Sequence, residues 1–204
     1  MKQGSCLVLV LLLLVGMNAY ADTVPPLNLG GFKLGEDIAG YMTFIDENSF
    51  RKIRYSEYIG EAEIKSVPGF VSGSIAFGLC DQPKRIVRIK LKYDDPTRDF
   101  FDMLLKRFEA SFGAPDEYRG DPFQAMIAWK WSFKSSTLGN ISLILQHNTK
   151  NPDEKFGNAV KLTLTGQIEM ERMCMQQKSQ EKSGEDSPEP ILTREAMWKL
   201  YVPY

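Results

Sequence analysis

Few residues of this 204-residue chain have the type and spacing that chemistry needs. Its only histidine, His147, ends the alternating segment "ISLILQH". Imidazole is the one side chain whose ordinary pKa lets it exchange a proton near neutrality, yet a histidine at a strand end serves equally well to hydrogen-bond a loop. Carboxylates gather in two polar segments, "APDEYRGDPFQ" with Asp116, Glu117 and Asp121, and "NTKNPDEKFGN" with Asp153 and Glu154. Two such groups are the minimum equipment of a hydrolase that works with one acid and one base. The sequence contains no G-x-S-x-G elbow, H-E-x-x-H helix, P-loop or C-x-x-C pair, so the local signatures of most nucleophile, zinc, nucleotide and redox sites are missing. One histidine and two cysteines outside the leader fall short of the four ligands of a structural zinc site. The D-x-D-x-D spacing of a calcium loop is absent as well. No catalytic residue, metal or cofactor is assigned.

The second chemical feature is the run "RIVRIKLKY". Val87, Ile89, Leu91 and Tyr93 alternate with Arg88, Lys90 and Lys92, and in a strand the two sets face opposite ways. The same alternation turns Lys130, Lys134 and Lys161 outward on later strands, with Glu57, Glu61 and Glu63 as partial counter-charges. Arg88, Lys90, Lys92, Lys130 and Lys161 are therefore expected to share one open sheet face, either as an ordinary solvated surface or as an electrostatic platform for an anionic partner. The formal net charge of the chain is only −1, which argues against a general nucleic-acid binder.

Cysteine usage and the N-terminus point to a compartment. "MKQGSCLVLVLLLLVGMNAYA" has a cation at Lys2, a short apolar run and Ala19-Tyr20-Ala21, the layout of a secretory signal peptide cleaved after Ala21. The run is shorter than the about 20 residues of a membrane span, so no membrane-spanning segment is expected after cleavage. Cys6 leaves with the leader, and Cys80 and Cys174 then form a disulfide in an oxidising periplasmic or extracellular space.

Alternating segments at 53–65, 70–79, 87–93, 127–133, 141–147 and 160–164 read as strands. A short helix is expected across Asp37 to Phe44. The clearest helix lies in "DDPTRDFFDMLLKRFEASFGAP", capped by Asp95 and stopped by Gly113 and Pro115, with Phe101, Leu104, Leu105, Phe108 and Phe112 on one face. Another runs from Gln167 to about Lys178. These elements predict an α+β fold, an antiparallel sheet of about six strands with helices packed on one face. The expected organisation is a signal peptide at 1–21, one domain at 22–178, a flexible polar linker at 179–190 and an apolar, aromatic tail at 191–204. Met197, Trp198, Leu200 and Tyr201 of the tail are candidate contact residues, either for the chain's own domain or for a partner's groove.

The stretch from Cys80 to Cys174, through "RIVRIKLKY", "FGAPDEYRGDPF", "WKW" and "ISLILQHN", resembles a group of uncharacterised exported bacterial proteins. That resemblance implies export and brings no activity with it. The strand–helix–"FGxP" layout is similar, at the level of fold alone, to small envelope domains of the beta-lactamase-inhibitor-protein type, and a fold does not fix a function. The expectation is an exported, soluble, non-enzymatic binding or envelope-interaction module with a protein or anionic envelope partner and no nucleic acid. The alternative is a hydrolase with carboxylates or His147 on the rim formed by loops 114–126 and 148–158.

Overall fold

A computed structural model describes residues 24–149 and 157–185. The fold is α+β. A small hairpin of β1 (Asn28–Leu29) and β2 (Phe32–Lys33) precedes a short 3-10 helix over Ile38–Phe44, whose N-cap is Asp37. The main sheet then forms from β3 (Ile45–Ile53), β4 (Ser56–Ile64), β5 (Phe70–Gly78) and β6 (Ile86–Tyr93). Helix α1 (Arg98–Phe112) crosses over to β7 (Glu117–Tyr118), β8 (Met126–Ser135), β9 (Gly139–Asn148) and β10 (Gly157–Leu164). Helix α2 (Thr165–Glu185) follows β10 directly. The eight strands lie in the order β3-β4-β5-β6-β10-β9-β8-β7, all antiparallel. Two meanders thus meet where β6 pairs with β10.

Alternation decides which residues reach the core. Ile75, Ile89, Leu91, Leu143, Leu145, Val160 and Leu162 point to one face and form a single cluster with Trp131 and Phe101. Leu104, Leu105, Phe108 and Phe112 of α1 pack against that cluster. Thr97, rather than Asp95, is the α1 N-cap and accepts from the Phe100 amide. Asp95 acts one step earlier, taking the Thr97 amide and hydroxyl at 2.8 and 2.6 Å.

Two features depart from the sequence expectation. The sheet has eight strands instead of six because β3 and β7 extend its edges. The register of β3 against β4 shifts between Asp46 and Arg51, so its apolar residues fall out of the simple period of two. The two residues of β7 leave no periodic trace at all.

The helices, moreover, do not share one face. Ile168 of α2 packs with Ile59, Ala76 and Val87, a cluster on the side opposite α1. A register shift explains it: Phe77 pairs with Ile86 and Ala76 with Arg88, so Val87 is the extra residue and turns to the open face. There it offers an apolar landing for α2, in place of the α1-facing position that strict alternation assigns it. Helix α2 also continues to Glu185, through residues whose lack of large apolar side chains resembles a linker. Gln, Glu and Lys are good helix formers, and solvent-exposed turns need no apolar stripe.

Cys80 and Cys174 are joined by a disulfide, with Cα atoms 5.9 Å apart. One turn before Cys174, Glu171 is fully buried. Its carboxylate accepts from the backbone amides of Leu79, Cys80, Asp81 and Gln82 at 3.1, 2.6, 3.0 and 2.8 Å. The β5–β6 loop is therefore wrapped around a side chain of α2, and the disulfide closes the same junction. The neighbouring Gly78 makes room for it, since a Cβ there would collide with Oε1 of Glu171.

Candidate functional site

The face away from α1 carries the predicted cations, and the strand register fixes who stands beside whom. Lys90 lies directly opposite Lys161 across the β6–β10 pair. On the β5 side Lys90 faces Ser74, and Ser74 faces Glu63. On the other side Lys161 faces Ile144, Ile144 faces Lys130, and Lys130 faces Glu117. One cross-strand line thus holds three lysines between Glu63 and Glu117, with Asp46 of β3 beyond Glu63. The adjacent lines place Lys92 between Ser72 and Ala159, and Arg88 between Ala76 and Thr163. The register sets all five residues on this face. They are half-buried where an exposed patch was expected, because lysine stems lie along the sheet while their ammonium groups reach outward.

Counter-charges sit at the margins. Arg51 bonds Glu61 at 2.9 Å and Glu63 at 3.3 Å, while Glu61 also takes the Ser74 hydroxyl at 3.0 Å and lies 3.9 Å from Arg88. At the far margin Lys130 bonds Glu117 at 3.2 Å. That lysine, followed by Arg119, holds the Glu117 carboxyl below its usual range.

A hollow of about 530 Å³ opens between these groups, over β5. Its floor carries the small side chains of Ser72 and Ser74, its acidic wall Glu61 and Glu63 with Arg51, and its basic wall Lys90 and Lys92. The residues on the basic wall were legible from the alternation of β6. The floor was not, because "VSGSIA" reads only as a strand with small polar residues until β4 and β6 are placed on either side of it.

The rim around the two polar loops is organised for structure. His147 is 3 % exposed and faces the core, not the rim, because it continues the inward series Ile141, Leu143 and Leu145. Its Nδ1 lies 2.6 Å from Oδ1 of Asn158, and its ring centroid lies 5.4 Å from that of Phe101. Nδ2 of Asn158 donates to the carbonyls of Asp95 and Thr97, each at 2.8 Å. Both amide protons are then spent, so Oδ1 must accept and the imidazole proton resides on Nδ1. This chain of bonds fastens the start of α1 to β9 and β10.

The described rim carboxylates are similarly engaged. Asp116 accepts the Ser132 amide at 2.6 Å, and Asp121 accepts the amides of Met126 and Phe123. Those N–H groups, Met126 first, lower the pKa of Asp121. Asp153 and Glu154 lie outside the described residues, as do Met197, Trp198, Leu200 and Tyr201. Among the described residues no group of three or more His, Cys, Asp or Glu side chains is placed to hold a metal ion.

The chain matches no family model, no curated protein and no solved structure.

Proposed function

We propose that the protein is an exported, non-enzymatic binding module that receives an anionic partner on its open sheet face. The observation that carries this reading is the direct cross-strand placement of Lys90 against Lys161 in the middle of the sheet, with Lys92 and Arg88 flanking Lys90 on β6. The sheet sets complementary pairs at its margins, Arg51 with Glu61 and Lys130 with Glu117, and gathers cations from two neighbouring strands at its centre. An arriving anion gains from the field of several cations at once.

The hydrolase alternative draws less support. A general acid needs a carboxyl whose pKa is raised, while Glu117 and Asp121 are both held low by donors already bound to them. His147 is committed to Asn158 in the core.

The test is fluorescence anisotropy of labelled poly-glutamate against the purified chain. Binding is expected at low salt and is expected to fade as ionic strength rises through about 0.1 M, where the screening length is about 10 Å. The Lys90→Glu/Lys161→Glu variant is expected to lose it. Binding that survives the double charge reversal, or that ignores salt, rejects the platform. Export is tested separately: the N-terminal sequence of the protein recovered outside the cytoplasm is expected to begin at Asp22.

A further inference from the structure

Toward the β8 side of the sheet, a recess of about 420 Å³ opens where helix α2 begins. We infer that this recess binds a phosphate group, free or carried on a monoester, between the N-terminus of α2, Ser142 and Lys134. The course of the helix places its positive end there. The Thr165 hydroxyl, on the first residue of α2, donates to the Asn140 carbonyl of β9 at 3.1 Å. From that point α2 runs across the sheet to Ile59, Ala76 and Val87 through Ile168, and on to Cys80 through Cys174. Its N-terminus therefore points back toward β8 and β9, where the recess lies between Thr165, Asn140, Ser142, Ser132 and Lys134. The opening amides of a helix lack intrahelical acceptors and carry a partial positive charge, which suits an anion. No acidic side chain occupies the first turn of this 21-residue helix to meet that need.

Two buried hydroxyls beside the helix start point to a ligand. Ser142 lines the recess, is only 7 % exposed, and its hydroxyl bonds no described residue. Thr163 stands directly opposite on β10, is equally buried, and its Oγ1 also has no partner among the described residues. Buried hydroxyls are seldom left unbonded. One acceptor in the recess serves both. Ser142 donates to it, and a turn about χ1 lets Thr163 donate to the Ser142 oxygen, since directly opposite Cβ atoms lie about 4.5–5.5 Å apart.

The charge balance and the number of donors favour phosphate. Lys134 is exposed at the rim and forms no ion pair among the described residues. Lys130 also lines the recess but is already bonded to Glu117. No described carboxylate lines it. Donors thus converge from a helix end, a hydroxyl on the floor and an ammonium at the rim. A carboxylate has two oxygens to share among them, whereas a phosphomonoester has three and a charge of about −1.5 to −2 near neutrality. The exposed rim of Ser132, Lys134, Asn140 and Thr165 leaves room for an esterified group. The site goes beyond the platform proposed above, because neither Lys90 nor Lys161 lines it.

The test is a titration of the purified chain with inorganic phosphate and with glycerol 3-phosphate, at neutral pH and constant ionic strength, followed by amide NMR. Saturable shifts are expected at the amides of residues 165–168. Ser142→Ala is expected to weaken binding about tenfold, the loss of one hydrogen bond to a charged group. Its melting temperature is expected to stay at the parent value, because the hydroxyl bonds nothing in the free protein. Lys134→Gln is expected to weaken binding about threefold, as for an exposed charge. The Lys90→Glu/Lys161→Glu variant is expected to keep these shifts, so failure of the platform and failure of this site are read separately. Tighter binding of glycerol 3-phosphate identifies a monoester as the ligand and equal binding identifies free phosphate, and either result supports the site. Shifts that never saturate, that spread over the lysines of the sheet or that survive Ser142→Ala overturn it. So does an unperturbed start of α2, or a Ser142→Ala protein that melts well below the parent.

Discussion

Removing the Glu171 carboxylate is expected to destabilise the protein far more than its lack of a cationic partner among the described residues suggests. The side chain is fully buried and satisfies four backbone amides of the β5–β6 loop at 2.6–3.1 Å. In Glu171→Ala those donors lose their acceptor. Asp81 and Gln82 are exposed and turn to water, but the Cys80 residue is buried and Leu79 half-buried. A buried, unsatisfied donor costs about 1–3 kcal/mol, so two of them cost about 2–6 kcal/mol. For a domain of this size each kcal/mol lowers the melting temperature by about 2–4 °C, which puts the expected loss near 10 °C. Glu171→Gln is expected to lose less. The amide oxygen can keep the position that serves Leu79, Cys80 and Asp81, but its NH2 group then meets the Gln82 N–H donor head-on. Gly78→Ala collides with the same carboxylate and with the Gln82 carbonyl, so its cost should overlap in part with that of Glu171→Ala and the double variant should be less than additive. Circular dichroism melts of the parent and the four variants under non-reducing conditions decide it. A Glu171→Ala protein that melts within about 2 °C of the parent, or a fully additive double variant, refutes the account of this junction.

Lys161→Glu is expected to weaken poly-glutamate binding, because it replaces a central cation with a carboxylate beside Lys90. A variant that binds as before contradicts the role given to Lys90 and Lys161. In the β7–β8 loop, the amides of Met126 and then Phe123 lower the Asp121 pKa below its usual 3.8. A depressed carboxyl contributes stability that is present above 3.8 and lost as pH falls through the folded value. Amide NMR shifts of Phe123 and Met126 should accordingly titrate with a midpoint below 3.8, and a midpoint at or above it refutes the carboxylate clamp.

What could be read in the sequence is what local periodicity carries. The six alternating strands, the apolar face of α1, the short helix before Ile45 and the cysteine pair each leave a signal within a few residues, or in the count of thiols. The features that escaped depend on register or on distant partners. Val87 looks like an inward residue of a regular strand until the shift between Ala76 and Phe77 turns it outward, and the landing site of α2 turns with it. Glu171 sits in a polar helix with no local mark, and its four donors lie 89–92 residues earlier. The candidate face divides in the same way. The spacing of Arg88, Lys90 and Lys92 is visible along one strand, whereas the opposition of Lys90 and Lys161 and the small floor beside them exist only once three strands are laid side by side.

The position of α2 explains why the hollow lies where it does. The helix crosses the open face at one end, where Ile168 reaches Ile59, Ala76 and Val87 and Thr165 bonds the Asn140 carbonyl at 3.1 Å. Thr163 and Ser142, in the cross-strand line of Arg88, are each only 7 % exposed. The lines of Lys90 and Lys92 lie beyond that cover, and their lysines remain half-exposed. Three of the buried polar side chains fasten helices: Asn158 and His147 hold the start of α1 from the core side, while Glu171, with the disulfide, holds α2. With both helices fixed, one over the core face and the other over one end of the opposite face, the spacing of Arg88, Lys90 and Lys92 is set by the backbone geometry of β6. Cations held at a spacing fixed by the backbone act together on an anion without reorganisation of the sheet.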